Sequence, residues 1–134
     1  MPFRYLGDLR ALDRHALFGN GECVDIIKEL VPGLIGISTQ TWKAGAMVKD
    51  SANLAPGTAI ATFTNGRFPH ANTGQHAAIF VAHAGAGFWV VDQYRASITV
   101  RYHHMEVPRE HAQRADGSWP TPSRNPLAFA VIAR

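Results

Sequence analysis

The order of hydrophobic patterns along the chain predicts an α+β fold, in which one N-terminal helix packs on an antiparallel sheet of about five strands. One helical pattern covers Glu22–Val31, and short apolar segments bounded by turn residues follow it. The chain has 134 residues, 46% hydrophobic and 17% charged, which suits a single globular domain over residues 1–134. No apolar run approaches the roughly 20 residues that cross a bilayer, so no membrane span is expected.

The helix predicted over Glu22–Val31 is the clearest element of the chain. Asn20 and Gly21 are candidate N-cap residues, acidic side chains fall in the first turn, and Pro32-Gly33 would end the helix. Apolar residues recur at helical spacing and give the helix a broad face for burial. We therefore expect this helix to pack against the sheet.

Strand patterns fill most of the remaining chain. The predicted strands are Thr58–Phe63, His76–Ala82, Phe88–Tyr94, Ser97–Tyr102 and Leu127–Ala133. The second and third of these flank a Gly-rich turn, which predicts an antiparallel hairpin. The segment Val107–Pro126 contains four prolines and many polar residues, so it is expected to form a long loop.

Composition and charge narrow the classes of function. The 13 Lys and Arg residues against 10 Asp and Glu residues give a formal net charge of +3, and the basic residues are scattered. Nucleic-acid-binding proteins usually have a clustered basic stripe interleaved with aromatic residues, so nucleic acid is not an expected partner. The first ten residues mix charged with apolar side chains and lack the apolar core of a signal peptide.

Cys23 is the single cysteine of the chain, so it cannot form an intramolecular disulfide. Two glycines and an asparagine at 19–21 allow an unusual backbone path into the helix. In the first helical turn, free N–H groups and the positive end of the helix dipole favour a reactive thiolate and can hold an oxyanion. The alternative interpretation is that Cys23 is a small buried apolar side chain.

Seven histidines are candidates for the base that a nucleophilic cysteine requires. Only His76 opens an apolar strand, from which its side chain can point toward the helix terminus. The alternative is that His76 lies exposed at the rim of the sheet. His103 and His104 are adjacent and would face opposite sides of a strand, which makes them a poor metal-ligating pair. With one cysteine and no His-Glu-x-x-His motif, neither a metal nor another cofactor is expected.

The register of the predicted hairpin leaves two candidates, Asp92 and Gln93, for a third site residue that orients the histidine. If Ala82 opposes Phe88, Ala78 opposes Asp92, which then lies diagonally next to the strand-opening histidine. With a tighter, two-residue turn, Ala78 opposes Gln93 instead. A role for Asp92 as a simple cap of the strand end is a third interpretation.

Three motifs occur in the order found in papain-like bacterial cell-wall hydrolases of the CHAP and NlpC type, which this sequence resembles. They are Gly21-Glu22-Cys23 at a helix start, Leu54–Ile60 leading into a strand, and Gly74–Phe80 with its histidine. The resemblance covers about residues 18–94. Thr58 stands where an Asp is common, Gln75 separates the glycine from the histidine, and the acidic calcium-binding cluster of some CHAP domains is absent.

The resemblance implies a papain-like fold and a thiol-dependent amidase or endopeptidase that acts on peptidoglycan peptides through a thioester. The resemblance also makes Cys23 the nucleophile and His76 the base. Asp92 is the orienting acid in this comparison, because residues 92–94 are similar to the Glu-Gln-Asn segment of CHAP domains. Two alternatives stay open. One is a binding module with a degenerate papain-like fold, and the other is an intracellular thiol deamidase or acyltransferase.

The site of action follows from the same resemblance, because peptidoglycan lies outside the cytoplasm. Without a signal peptide, the protein is expected to be made in the cytoplasm and exported to a periplasm by a dedicated secretion system. The small amidase effectors of type VI secretion systems are an example of such delivery. An immunity protein and a component of the secretion system are then expected as partners.

Overall fold

The computed structural model describes residues 2–70 and 74–134 and contains one α-helix and six β-strands within them. Helix α1 spans Cys23–Leu30. The strands are β1 Lys43–Met47, β2 Ala59–Thr62, β3 Ala77–Ala84, β4 Gly87–Asp92, β5 Arg101–Met105 and β6 Phe129–Ala133. Within these residues no helix is long and apolar enough to span a bilayer.

The strands form one sheet in the order β1-β6-β2-β3-β4-β5, and each pairing is antiparallel. The α+β class predicted from the sequence is confirmed, but the expected number of about five strands was wrong. The additional strand, β1, has the sequence Lys-Ala-Gly-Ala-Met and is largely exposed at the sheet edge. It lacks the apolar alternation that signals a strand, and its extended conformation depends on pairing with β6.

Strand β5 also lies further along the chain than the sequence pattern predicted. The expected strand covered Ser97–Tyr102, whereas the observed one covers Arg101–Met105 and pairs with β4 from Phe88↔Met105 to Asp92↔Arg101. This register places His103 opposite Val90. It also brings Arg101, the first residue of β5, opposite Asp92, the last residue of β4.

Helix α1 begins one residue later than predicted, and its N-cap is Glu22 in an extended conformation rather than Asn20 or Gly21. The Glu22 side chain makes no capping bond. Instead, the carboxylate of Asp25 accepts a hydrogen bond from the Asn20 backbone N–H at 2.9 Å, which ties the first turn to the preceding loop. Because Ile26 and Ile27 are fully buried, the apolar face of α1 packs on β3 as predicted.

The buried residues form two hydrophobic clusters, because alternate side chains of a strand point to opposite faces of the sheet. One cluster joins Ile27 of the helix to Ile79 and Val91. The other joins Phe80 and Phe129 to further strand residues on the second face. The helix therefore covers one face, while on the second face strand side chains cluster with Val48 and Leu54, which follow β1 in the chain.

The β3–β4 hairpin combines features of both registers considered from the sequence. Its turn is tight, with Ala84 opposite Gly87 and Ala82 opposite Trp89. A β-bulge between Phe80 and Ala82 then shifts the pairing by one residue, so that Ile79 opposes Val91. If this shifted register continues by one residue, the side chain of Asp92 points to one defined face of the sheet. In a hairpin with the same tight turn but no bulge, the side chain of Gln93 would point to that face instead.

Candidate active site

The loop before helix α1 is held to the sheet by the buried side chain of Gln93. Its amide oxygen accepts a hydrogen bond from the Phe18 backbone N–H at 2.8 Å. Its amide nitrogen donates to the carbonyl oxygens of Phe18 at 3.0 Å and Glu22 at 2.8 Å. Since Cys23 follows Glu22 directly, these three bonds fix where the helix starts and where its thiol lies.

Glycines give this loop its path. Gly21 has a φ of 84°, in the left-handed region that strongly favours glycine, and a Cβ at Gly19 would lie 2.8 Å from the carboxylate of Asp25. The loop can therefore turn sharply into α1. As a result Cys23 is partly exposed in the first helical turn, and the alternative of a fully buried apolar cysteine does not describe it.

The backbone of His76 is fixed by Thr62 of β2. The Thr62 Oγ1 accepts a hydrogen bond from the His76 N–H, and the Thr62 N–H donates to the His76 carbonyl oxygen, both at 2.9 Å. The imidazole is buried and stands edge-on to the ring of Phe129 at a centroid distance of 6.3 Å. His76 is therefore an ordered histidine directly before β3, and the alternative of an exposed rim residue was wrong.

Asp92 ends β4, is completely buried, and accepts three hydrogen bonds from side chains. The Nε2 atom of His76 donates to Oδ2 at 2.8 Å. His103 Nε2 and Arg101 Nη2 donate to Oδ1 at 2.8 Å and 3.1 Å, respectively. Burial alone raises the pKa of Asp92, but the hydrogen bonds from His103 and His76 outweigh it and hold the pKa well below its usual range.

The surroundings of His76 favour its protonated form. Burial lowers the pKa of its imidazole, but the hydrogen bonds with Asp92 and with the thiol of Cys23 outweigh this and raise the pKa to about 9. Because Nε2 is occupied by Asp92, the other ring nitrogen, Nδ1, is left to face Cys23. A thiol, an imidazole and a carboxylate are thus connected in series.

The thiol and the imidazole border a cleft of about 640 Å³. Cys23 and His76 lie in its lining together with Glu22, Gly74, Gln75, Tyr94, Arg95, Arg101, Ser123 and Arg124. The guanidinium of Arg101 stacks on the Tyr94 ring at 4.7 Å. Such a cleft can admit an extended substrate segment to a partly exposed sulfur, while the imidazole and carboxylate behind it stay shielded from water.

The structure brings the three predicted site residues together: Cys23 contacts His76, and His76 contacts Asp92. Gln93 does not face His76 and holds the loop before α1 instead. Sequence reasoning missed Arg101 and His103, which bind the same carboxylate. Their spacing of two along a strand was a usable signal, because such residues share a face.

Thr62 was missed for a different reason: a threonine inside a short apolar strand carries no sequence signal of a site. Its contacts with His76 depend on the pairing of β2 with β3.

Over the residues that the structure describes, no group of three or more His, Cys, Asp or Glu side chains is arranged to hold a metal ion. The groups that the cleft presents near Cys23 include its thiol, the imidazole of His76 and the backbone N–H groups at the start of α1.

Comparison with known proteins gives concordant results. The family model described as "Domesticated amidase effector 2" matches residues 10–119. The Type VI secretion amidase effector 2 protein of Salmonella typhi is 32% identical over 135 aligned residues, covering 98% of this chain and 99% of the relative. Domesticated amidase effector 2 of Ixodes scapularis is 41% identical over 76 residues, covering 56% of this chain and 51% of that protein.

The solved structure of Type 6 secretion amidase effector 2 (Tae2) matches with a TM-score of 0.87 and 33% identity, over 98% of this chain and 94% of that one. The fold and the cleft define a small α+β protein whose thiol, imidazole and carboxylate meet at one end of an antiparallel sheet. The chain belongs to the amidase effector 2 family. The narrower resemblance to CHAP and NlpC-type domains stays a prediction.

Proposed function

We propose that the protein is a thiol-dependent amidase or endopeptidase that cleaves amide bonds in the peptides of bacterial peptidoglycan. In this proposal residues 1–134 act as one papain-like catalytic domain, with Cys23 as nucleophile, His76 as base and Asp92 as the orienting acid. The observation that carries the proposal is the series formed by the Cys23 thiol, the adjacent His76 imidazole and buried Asp92, which is bonded to His76 at 2.8 Å, beside a cleft of an amidase effector family member.

In the first half of the reaction, His76 holds the proton of the Cys23 thiol, and the thiolate attacks the carbonyl carbon of the amide. The carbonyl π electrons move onto oxygen, where backbone N–H groups at the start of α1 stabilise the negative charge. The tetrahedral intermediate collapses, the carbon–nitrogen bond breaks, and the amine leaves with the proton from His76. The product is a thioester on Cys23.

In the second half, a water molecule gives a proton to His76 and attacks the thioester carbon. The carbon–sulfur bond breaks, the carboxylic acid product leaves, and the proton returns from His76 to sulfur. Asp92 keeps the imidazole in one orientation through both halves, since its Oδ2 binds Nε2 at 2.8 Å. His103 and Arg101 do not contact the reacting atoms in this proposal; they donate hydrogen bonds to Asp92 and keep it ionised.

The amide substrate is supported by the names of the relatives, which are amidase effectors, and the delivery route by the words type VI secretion in two of them. An effector of this kind acts outside the cell that makes it, so we propose the periplasm of a neighbouring bacterium as the place of action. A cell that exports a wall-cleaving enzyme needs protection from its siblings, which makes an immunity protein an expected partner.

The proposal is tested by incubating purified peptidoglycan with the wild-type protein and identifying the products by mass spectrometry. We expect a defined new amide cleavage with wild type, and a loss of at least about a thousandfold in kcat for Cys23→Ala and Cys23→Ser. Thermal unfolding of both variants serves as the control for folding. Full activity of a folded Cys23→Ala variant would exclude the mechanism.

The same products separate hydrolysis from transfer, because both reactions pass through the thioester. A free carboxyl group at the cleavage site indicates hydrolysis, whereas a new amide to an added amine indicates an acyltransferase. If neither product forms and Cys23 is not labelled by a thiol alkylator, a non-enzymatic binding module becomes the better interpretation.

A further inference from the structure

A second cleft of about 520 Å³ adjoins the one that contains Cys23 and His76. Its lining includes Asp92, Arg101, His103, His104, Ser123 and Arg124. Three of these residues, Arg101, Ser123 and Arg124, also line the first cleft. A substrate lying over the sulfur in the first cleft can therefore extend past these shared residues into the second.

Most charged groups of the two clefts already have partners. Arg95 pairs with Glu22 at 3.4 Å, although both side chains are largely exposed. Arg101 and His103 both donate to buried Asp92. These side chains are therefore already bonded to partners within the protein.

Besides Arg124, Asp92 and the two donors to Asp92, the other ionisable side chains of the second cleft are His104 and Glu106, and both lie near groups of the protein itself. His104 donates through Nε2 to the Ala84 carbonyl oxygen, and its Nδ1 lies 4.0 Å from the carboxylate of Glu106, whose side chain is 86% exposed. Among the described residues, the guanidinium of Arg124 has neither a hydrogen bond nor an ion pair, and Arg124 is exposed. Arg124 is thus the uncommitted cation at the junction of the clefts.

Arg124 stands on a part of the long loop that is held in place. It ends the short 3₁₀ turn Pro122–Arg124, and the next residue, Asn125, is completely buried. The Asn125 amide nitrogen donates to the His111 carbonyl oxygen at 3.1 Å, and its amide oxygen accepts from the Leu127 N–H at 3.1 Å. Loop geometry alone does not make a site, but it keeps this cation beside the cleft.

We propose that Arg124 binds a free carboxylate of the substrate peptide, in the second cleft, while the amide to be cleaved lies over Cys23. The inference rests on the proposed function and names the substrate group that sets its specificity. A guanidinium suits a carboxylate because its planar N–H groups bind both oxygens, and peptidoglycan peptides carry free carboxylates. The Ser123 side chain lies in both linings, where its hydroxyl can donate to the same group.

The test measures binding separately from catalysis, in a Cys23→Ala background that cannot turn over. The probes are purified muropeptides with free carboxylates and the same muropeptides converted to carboxamides. We expect the carboxylate form to bind about tenfold more tightly by calorimetry, and the added Arg124→Gln substitution to remove this preference. Arg124→Lys should keep part of the preference for the carboxylate, because the positive charge remains but the two parallel N–H donors of the guanidinium are lost.

Arg114→Gln is the matched control, since Arg114 lies in the same loop, bonds to Ser118 and lines neither cleft. It should leave the preference unchanged. Equal binding of the two probes, no binding of either, or an equal loss for both in folded Arg124→Gln overturns the inference. A carboxylate preference lost with Arg124 but no cleavage by the protein with Cys23 intact supports this subsite and refutes the proposed function.

Discussion

At the scale of single residues, the unusual feature is a carboxylate that is fully buried yet ionised. Removing an ion from water costs several kcal/mol, so a buried Asp needs donors on both oxygens. Asp92 has His76 on Oδ2 and the pair His103 and Arg101 on Oδ1. One carboxylate therefore connects the proposed base to two residues that reach it from β5.

His103→Gln tests this connection. Without the His103 bond, the pKa of Asp92 should rise, because that bond is the largest influence opposing burial. Asp92 would then lose its charge at a higher pH than in wild type. We expect the acid limb of the kcat profile to move to higher pH and kcat at neutral pH to fall roughly tenfold.

His104→Gln is the matched control, because this neighbouring histidine lines the same cleft but donates to the Ala84 carbonyl oxygen. Its acid limb should coincide with that of wild type. An unmoved acid limb in His103→Gln, or the same shift in both variants, would show that His103 does not act through Asp92.

At the scale of elements, the position of α1 depends on one polar side chain of the sheet. The side chain of Gln93 makes three hydrogen bonds with backbone groups of Phe18 and Glu22, which would otherwise bond to water. The helix also packs through Ile26 and Ile27, but these residues follow Cys23 by three and four positions, whereas Gln93 binds the residue directly before it. The clamp by Gln93 therefore sets the place of the thiol more directly than the hydrophobic face does.

Gln93→Leu should lower the free energy of unfolding by about 1–3 kcal/mol, because buried backbone groups lose their partners. We also expect kcat to fall in the fraction that remains folded, since the start of α1 is no longer held against β4. Denaturant unfolding and initial rates measure the two effects. Gln40→Leu, at an exposed glutamine, should change neither, and a destabilised Gln93→Leu variant with wild-type kcat would contradict the positioning role.

The elements also show where sequence patterns suffice. Helix α1 and the apolar strands β2, β3, β4 and β6 were predicted because periodicity and turn residues are local signals. Strand β1 was missed because its Ala-Gly-Ala centre has no apolar alternation. The bulge in β3 was missed as well, although it decides that Asp92, rather than Gln93, shares the face of His76.

At the scale of the whole molecule, the site couples folding to pH. The pKa of His76 is about 9 in the folded protein against an ordinary value of 6.5. A histidine whose pKa is raised on folding contributes stability fully below pH 6.5, and this contribution is lost as pH rises through 9. The magnitude is on the order of 3 kcal/mol. Asp92, with its lowered pKa, acts oppositely and loses its contribution as pH falls below 3.8.

We therefore expect the free energy of unfolding of wild type to decrease between pH 6.5 and 9. His76→Gln should be less stable than wild type at pH 6 and should show a much flatter pH dependence over that interval. His83→Gln, at an exposed histidine bonded to the Ser51 carbonyl oxygen, should retain the wild-type slope. An equal slope in wild type and His76→Gln would contradict the raised pKa of His76.

The sequence by itself predicted the class of fold, one helix close to Cys23 and the apolar strands, because these follow from local periodicity and turn residues, and its motifs supplied the three residues of the proposed mechanism through a family resemblance. Only the tertiary structure decided the sheet order, in which the last strand, β6, lies between β1 and β2. It also decided that His103 and Arg101 reach Asp92 and that Arg124 stands between two clefts. These contacts join residues distant in the chain, and packing of the whole sheet fixes them rather than any local pattern.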